Sequence, residues 1–170
     1  MSVTLKPIES REATHLASLA DNKKIWDHVR DFFPHPYTTE HALEFIQSKA
    51  SENPPTSMGI YFMNDLVGVI GIDRMKDVFR NTGYLGYWIG EAYWNKNIAT
   101  EAVKLMTTYG FETMKLTKIQ AGVFDFNKPS MRVLEKAGFE LEGILKKSAI
   151  KNDQVCDDYI YGVVNPDING

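Results

Sequence analysis

From Met58 to Gly90 the hydrophobic period of this chain is two, and the run passes through one short polar turn straight into an amphipathic helix. Met58, Ile60 and Phe62 alternate ahead of a tight Asn64-Asp65 turn, LVGVIGID returns as a second strand, and YLGYWIG from Tyr84 to Gly90 adds a third. Such a run demands an antiparallel sheet. The helix after it, with Ile98, Ala102, Leu105, Met106 and Tyr109 on one face, must lie on that sheet to bury its stripe.

The flanking sequence extends this plan. KIQAGVF reads as a further strand, and Asn127 caps another helix that has Pro129 in its first turn and Lys136 and Gly138 at its end. Two closing strands are expected at about Glu140–Ala149 and Val155–Val164. Ahead of the sheet, Val3 and Leu5 mark a short strand and Ala13–Leu19 a helix. Asp21-Asn22 caps a second helix carrying Ile25, Trp26 and Val29, which should end near Pro34 and Pro36. Thr38 or Thr39 caps a third, from Glu40 to about Ala50. With 170 residues, 44% of them hydrophobic, the expectation is one mixed α/β domain over 1–170, its core about 3–165.

Charge and cysteine content narrow the function classes. A net charge of −3 gives no reason to expect nucleic-acid or anionic-membrane binding. Cys156 is the only cysteine, so an intrachain disulfide is impossible. There is no apolar run of membrane-spanning length, and MSVTLKPIES lacks the order of a secretory signal, so a cytoplasmic location is expected. His15, His28, His35 and His41 show no metal-ligand spacing, and no metal is expected. His35 lies in a Pro-rich turn beside Phe32, Phe33 and Tyr37, where it reads either as a surface-loop residue or as part of an acceptor pocket. GxGxxG after a strand, GxxxxGK[ST] and CxxC are all missing, which removes nucleotide-binding and redox readings.

The stretch WIGEAYWNKNIATEAV carries the chemistry. A strand running through a polar turn into a helix offers free N–H groups and a positive dipole end, which suits a phosphate or pyrophosphate. Asn95 and Asn97 accept left-handed backbone better than most residues, and Lys96 adds a charge between them. Read alone, the stretch is equally an ordinary polar loop before a helix.

A second stretch, NKPSMRVLEKAGFELEG, follows after one strand. Together and in this order the two resemble the GNAT superfamily, and within it the branch of ribosomal-protein N-terminal acetyltransferase-like (RimJ/RimL-like) proteins. The superfamily's pyrophosphate pattern Q/R-x-x-G-x-G/A falls on Trp94, Asn95, Lys96, Asn97, Ile98 and Ala99. Where the branch reads YWGKGxATEA, this chain reads YWNKNIATEA, with both turn glycines replaced by asparagine. NxxSxxxLEKxGFxxEG is matched from Asn127 to Gly143, and DDYIYG around Asp157 and Tyr161 is similar to the branch's last strand.

The resemblance implies a GNAT acyl-CoA N-acyltransferase fold: a mostly antiparallel sheet, flanked by helices and splayed at a coenzyme wedge. It implies acetyl-CoA as cosubstrate and an acetyltransferase acting on a primary amine by direct attack through a tetrahedral intermediate. The acceptor is a protein N-terminus or a small molecule, and a homodimer is compatible with it. The cofactor would be held by Trp88, Ile89 and Gly90 on the splayed strand, by Asn95, Lys96, Asn97, Ile98, Ala99 and Thr100 at the turn, and by Asn127. Ile89 has a core reading and Asn127 a helix-capping reading beside these. Many relatives place a tyrosine acid four residues before the GF pair; this chain has Leu134 there, which leaves Ser130 as the candidate acid. Asp73 is the candidate base, with an exposed strand-end carboxylate as its plain alternative. Because the turn glycines, the tyrosine and a glutamate at Tyr84 are all replaced, a non-catalytic acyl-CoA-binding protein is the competing expectation.

Overall fold

A computed structural model of the protein describes residues 2–168. In chain order it contains β1 (Val3–Lys6), α1 (Ala13–Ala20), α2 (Lys23–Trp26), α3 (Thr39–Lys49), β2 (Ser57–Phe62), β3 (Asp65–Arg74), β4 (Thr82–Ile89), α4 (Ile98–Glu112), β5 (Lys118–Phe124), α5 (Lys128–Lys136), β6 (Glu140–Lys151) and β7 (Gln154–Val164). The strands form one seven-stranded sheet in the order β1-β2-β3-β4-β5-β7-β6. Every pairing is antiparallel except β4 with β5, which is parallel because α4 is the crossover between them. This is the mixed α/β architecture, mostly antiparallel and flanked by helices, that the sequence resemblance implies.

Each sheet face has its own core. On one, Ile70, Ile72, Leu85, Ile119 and Ala121 pack with Ile98, Ala102 and Met106 of α4 and with Met131 and Leu134 of α5. On the other, Tyr61, Leu66 and Val69 pack with Leu16 and Ala17 of α1 and with Ala42 and Ile46 of α3. Ile70, Ile72, Ile119 and Leu134 are fully buried, and each such side chain contributes roughly 1.5–3 kcal/mol by leaving water.

The strand and helix expectations hold with small shifts in their ends, and two details differ. The hairpin turn is Met63-Asn64, at φ 51° and 73°, with Phe62 facing Asp65 across it. A type I′ turn needs positive φ at both central positions, and Asp65 already belongs to β3. The second helix stops at Trp26 instead of continuing toward Pro34. The segment after it is held from outside by the β6–β7 hairpin. Lys151 Nζ is 2.8 Å from Asp31 and 3.5 Å from the centre of the Trp26 ring, and the Asn152 amide donates to Asp27.

Candidate active site

β4 and β5 begin as neighbours and then part. Their register comprises Thr82 with Lys118, Gly83 with Ile119 and Tyr84 with Gln120; beyond these residues both strands continue unpaired with each other. β3 stays paired with β4 as far as Ile89, and β7 stays paired with β5 as far as Phe124. The result is a wedge with backbone along both walls.

The register fixes which backbone groups face the wedge. Gly90 N–H donates to Val67 O at 2.8 Å while Ile89 sits opposite Gly68, so Ile89 occupies a non-hydrogen-bonded position toward β3. Its own N–H and C=O, and those of Tyr87 two residues earlier, therefore point away from β3 into the wedge. The Trp94 indole N–H donates to the Ile89 carbonyl at 2.7 Å, which leaves the Ile89 N–H as the open group at that level. The same bond ties the turn before α4 to the end of β4.

In that turn Asn95 has φ 59° and Asn97, the residue before α4, has φ 62° and ψ 9°. Both asparagines take the left-handed conformation for which the sequence selected them. No side chain caps α4; the Asn97 amide instead reaches Glu101. The first-turn N–H groups of Ile98, Ala99 and Thr100 thus have no intrahelical acceptor.

A cleft of about 570 Å³ joins wedge and turn. Of the residues singled out from the sequence, Trp88, Ile89, Asn95, Lys96, Asn97, Ile98, Ala99, Thr100, Asn127 and Ser130 line it. Sequence reasoning passed over Tyr87, Lys24, Arg132 and Lys136, which line it too. Four cationic side chains and no carboxylate among the lining residues, in a chain of net charge −3, make the cleft a positive site on a negative molecule.

At the inner end, Ser130 Oγ and Tyr87 Oη are 2.7 Å apart. Burial raises the Tyr87 pKa to about 12, against a smaller lowering by its Ser130 hydrogen bond, so the phenol stays protonated at neutral pH. Asn127 Oδ1 accepts the Ser130 N–H at 3.4 Å and so caps α5 while lining the cleft. Leu134 is in the core and has no part here.

The other two candidates lie outside. Gly90 is buried, and a Cβ there would come within 2.9 Å of Leu19, so its place is in the packing beneath α1. Asp73 is exposed on β3 across from Tyr84, on the sheet face opposite Ser130 and Tyr87, because side chains alternate along a strand. His35 is exposed and stacks on Trp26 at 5.4 Å, away from the cleft. Among the described residues no group of three His, Cys, Asp or Glu side chains is placed to hold a metal ion, and no helix is long and apolar enough to cross a membrane.

Comparison with known proteins agrees with this geometry. The sequence profile of the acetyltransferase (GNAT) domain matches residues 2–140. The chain is 32% identical to Probable N-acetyltransferase YjcK of Bacillus subtilis (strain 168), over 98% of this chain and 96% of that one. It is 28% identical to the [ribosomal protein uS5]-alanine N-acetyltransferase of Escherichia coli (strain K12), over 97% and 89%. Its fold superposes on RimJ of Mycobacterium smegmatis, solved in complex with CoA-disulfide, with a TM-score of 0.86 at 20% identity, covering 99% of this chain and 84% of that one. A splayed sheet, a helix start left free of side-chain caps and a family match over most of its length lead to one conclusion: the chain belongs to the GNAT acetyltransferase family, alongside the ribosomal-protein alanine N-acetyltransferases.

Proposed function

We propose that this protein transfers the acetyl group of acetyl-CoA to a primary amine. The observation that carries the reading is the cleft, which runs from the uncapped start of α4 to the Ser130–Tyr87 pair and is lined by cations without a single carboxylate. Its length and charge suit a ligand that has phosphates at one end and a thioester at the other.

In this reading the N–H groups of Ile98, Ala99 and Thr100 hold the pyrophosphate, and Lys96, Arg132 and Lys136 add charge for the phosphates. The wedge-facing backbone of Tyr87, with the Asn127 side chain, pairs with the amides of the pantetheine arm, as an added strand would. The Ile89 N–H is the donor for the oxyanion that forms when the amine attacks the thioester carbonyl. Ser130 gives its proton to the departing thiolate and regains one through Tyr87, protonated and 2.7 Å away, and the proton that the neutral amine sheds on becoming an amide returns the pair to its starting state. The acceptor is a protein N-terminus or a small-molecule amine, and the activity of the uS5-alanine relative supports the former. The buried, unpaired thiol of Cys156 suits a reducing, cytoplasmic setting.

The test is thiol release from acetyl-CoA with a panel of amines, comparing the native chain with Ser130→Ala. The reading expects amine-dependent release that falls on the order of a hundredfold in the variant. Binding of acetyl-CoA with no release for any amine would replace the enzyme by a non-catalytic acyl-CoA-binding protein.

A further inference from the structure

An amine at neutral pH carries one proton too many to attack a thioester. A lysine-like ammonium titrates at about 10.4 and a peptide N-terminus at about 7.7–8.0. Ser130 and Tyr87 face the departing thiolate as proton donors, so neither accepts this proton. Among the described residues the rest of the cleft lining offers the cations Lys24, Lys96, Arg132 and Lys136, the phenol of Tyr93 and no carboxylate. One lining side chain is left of a type that takes up protons around neutral pH, the imidazole of His28.

His28 follows α2, and its Nδ1–H donates to the carbonyl oxygen of Lys24, four residues back, at 2.7 Å. A carbonyl only accepts, so the hydrogen is on Nδ1 and the neutral ring keeps its lone pair on Nε2. No hydrogen bond among the described residues engages that Nε2. The ring lies 5.6 Å from Phe126, which directly precedes Asn127, whose side chain accepts the Ser130 N–H. The imidazole thus stands beside the start of α5, the helix that carries Ser130. It is exposed, so a proton taken up can leave to water.

The wall that carries His28 is fastened on both sides. Lys24 and Asn22 bond to Glu91 just beyond β4, while Lys151 and Asn152 of the β6–β7 hairpin hold Asp31 and Asp27. The charged groups around the imidazole are Lys23, Lys24 and Asp27 on its own segment and Lys96, Arg132 and Lys136 in the cleft, and Phe126 packs on it without charge. Asp27, kept ionised chiefly by its hydrogen bond from Lys23, favours the imidazolium form.

We propose that His28 is the general base of the transfer, taking a proton from the incoming ammonium at Nε2, directly or through one water. This rests on the acetyl-transfer reading and adds to it the group that prepares the amine. An N–H bond of the ammonium breaks, the Nε2–H bond forms, and the lone pair freed on the amine nitrogen attacks the thioester carbonyl. The imidazolium passes its proton to water. The second proton, shed as the intermediate collapses to the amide, restores the Ser130–Tyr87 pair that has protonated the thiolate, so each turnover releases one proton.

The experiment uses the full chain, acetyl-CoA and two amine probes, spermidine and a short peptide with a free N-terminal alanine. Thiol release gives kcat and KM against pH, and thermal unfolding monitors acetyl-CoA binding. His28→Gln is expected to lower kcat/KM at neutral pH on the order of a hundredfold, with the acetyl-CoA shift unchanged. With the peptide the deficit narrows as pH rises through about 8, because that amine then arrives unprotonated. Added imidazole recovers part of the rate in His28→Ala, and His35→Gln, altered away from the cleft, keeps the native rate. Native turnover in His28→Gln overturns the proposal, and so does a loss that neither rising pH nor imidazole relieves, which would make His28 part of the wall alone. Absence of the acetyl-CoA shift in the native protein overturns the cofactor reading, and a shift without release for either probe overturns the transfer reading. Both take the proposal with them and are separable from a failure of His28 alone.

Discussion

Asn97 holds the turn into α4 at φ 62°, where a branched side chain is strained by about 1–2 kcal/mol. Asn97→Val should lower stability by that amount in chemical denaturation, and it should also weaken acetyl-CoA binding, because the N–H groups of Ile98 to Thr100 are positioned by the same turn. Asn97→Gly should keep both, since glycine accepts this conformation without strain. Tyr87→Phe removes a hydroxyl and little else. Thiol release should fall about tenfold or more while the acetyl-CoA affinity stays the same; equal loss in both would mean that Tyr87 supports the fold of the wedge and not the proton path. The asparagines were legible because residue type alone reports tolerance of positive φ. Tyr87 was not, because its partner lies 43 residues away and only the packing of α5 over the wedge brings them together.

At the scale of elements, β4 sets the site by being fully paired on one edge and only briefly on the other. Strand periodicity cannot announce that, since an unpaired edge and a paired one read alike in YLGYWIG. The helices announce more. The ends of α5 follow from Asn127 at its start and Gly138 at its finish, where Phe139 N–H returns to Leu134 O at 3.0 Å and Gly138 has φ 95°. A Cβ on Gly138 meets nothing within 4 Å, so Gly138→Ala tests backbone strain alone. It should cost about 1–2 kcal/mol, read as a lower denaturation midpoint with an unchanged slope. The segment after Trp26 was misread as a longer helix because what stops it, the buried Lys151 and its contacts with Asp31 and Trp26, comes from more than a hundred residues later.

At the scale of the whole molecule, charge and protonation divide by region. Burial raises the pKa of Tyr37 and of Tyr87 to about 12 and that of Tyr61 further, the last aided by the Glu12 carboxylate that accepts a hydrogen bond from its hydroxyl. A folded-state pKa above the unfolded value of about 10 means that the native state keeps its proton longer. The stability linked to these phenols is therefore fully present below about pH 10 and is lost as pH rises toward about 12. Melting temperature should stay level on this account between pH 8 and 10 and fall above it, with phenolate absorbance appearing together with unfolding. Cations gather at the cleft of a chain that is negative overall, and this contrast supports the central claim that the cleft receives acetyl-CoA.

Thermal unfolding with and without acetyl-CoA tests that claim most directly. Ligand at about one hundred times its dissociation constant stabilises the state that binds it by roughly 2.7 kcal/mol, which for a chain of this size raises the melting temperature by several degrees. The account predicts that rise in the native protein and its loss in Asn97→Val. A melting temperature unmoved by millimolar acetyl-CoA would contradict it.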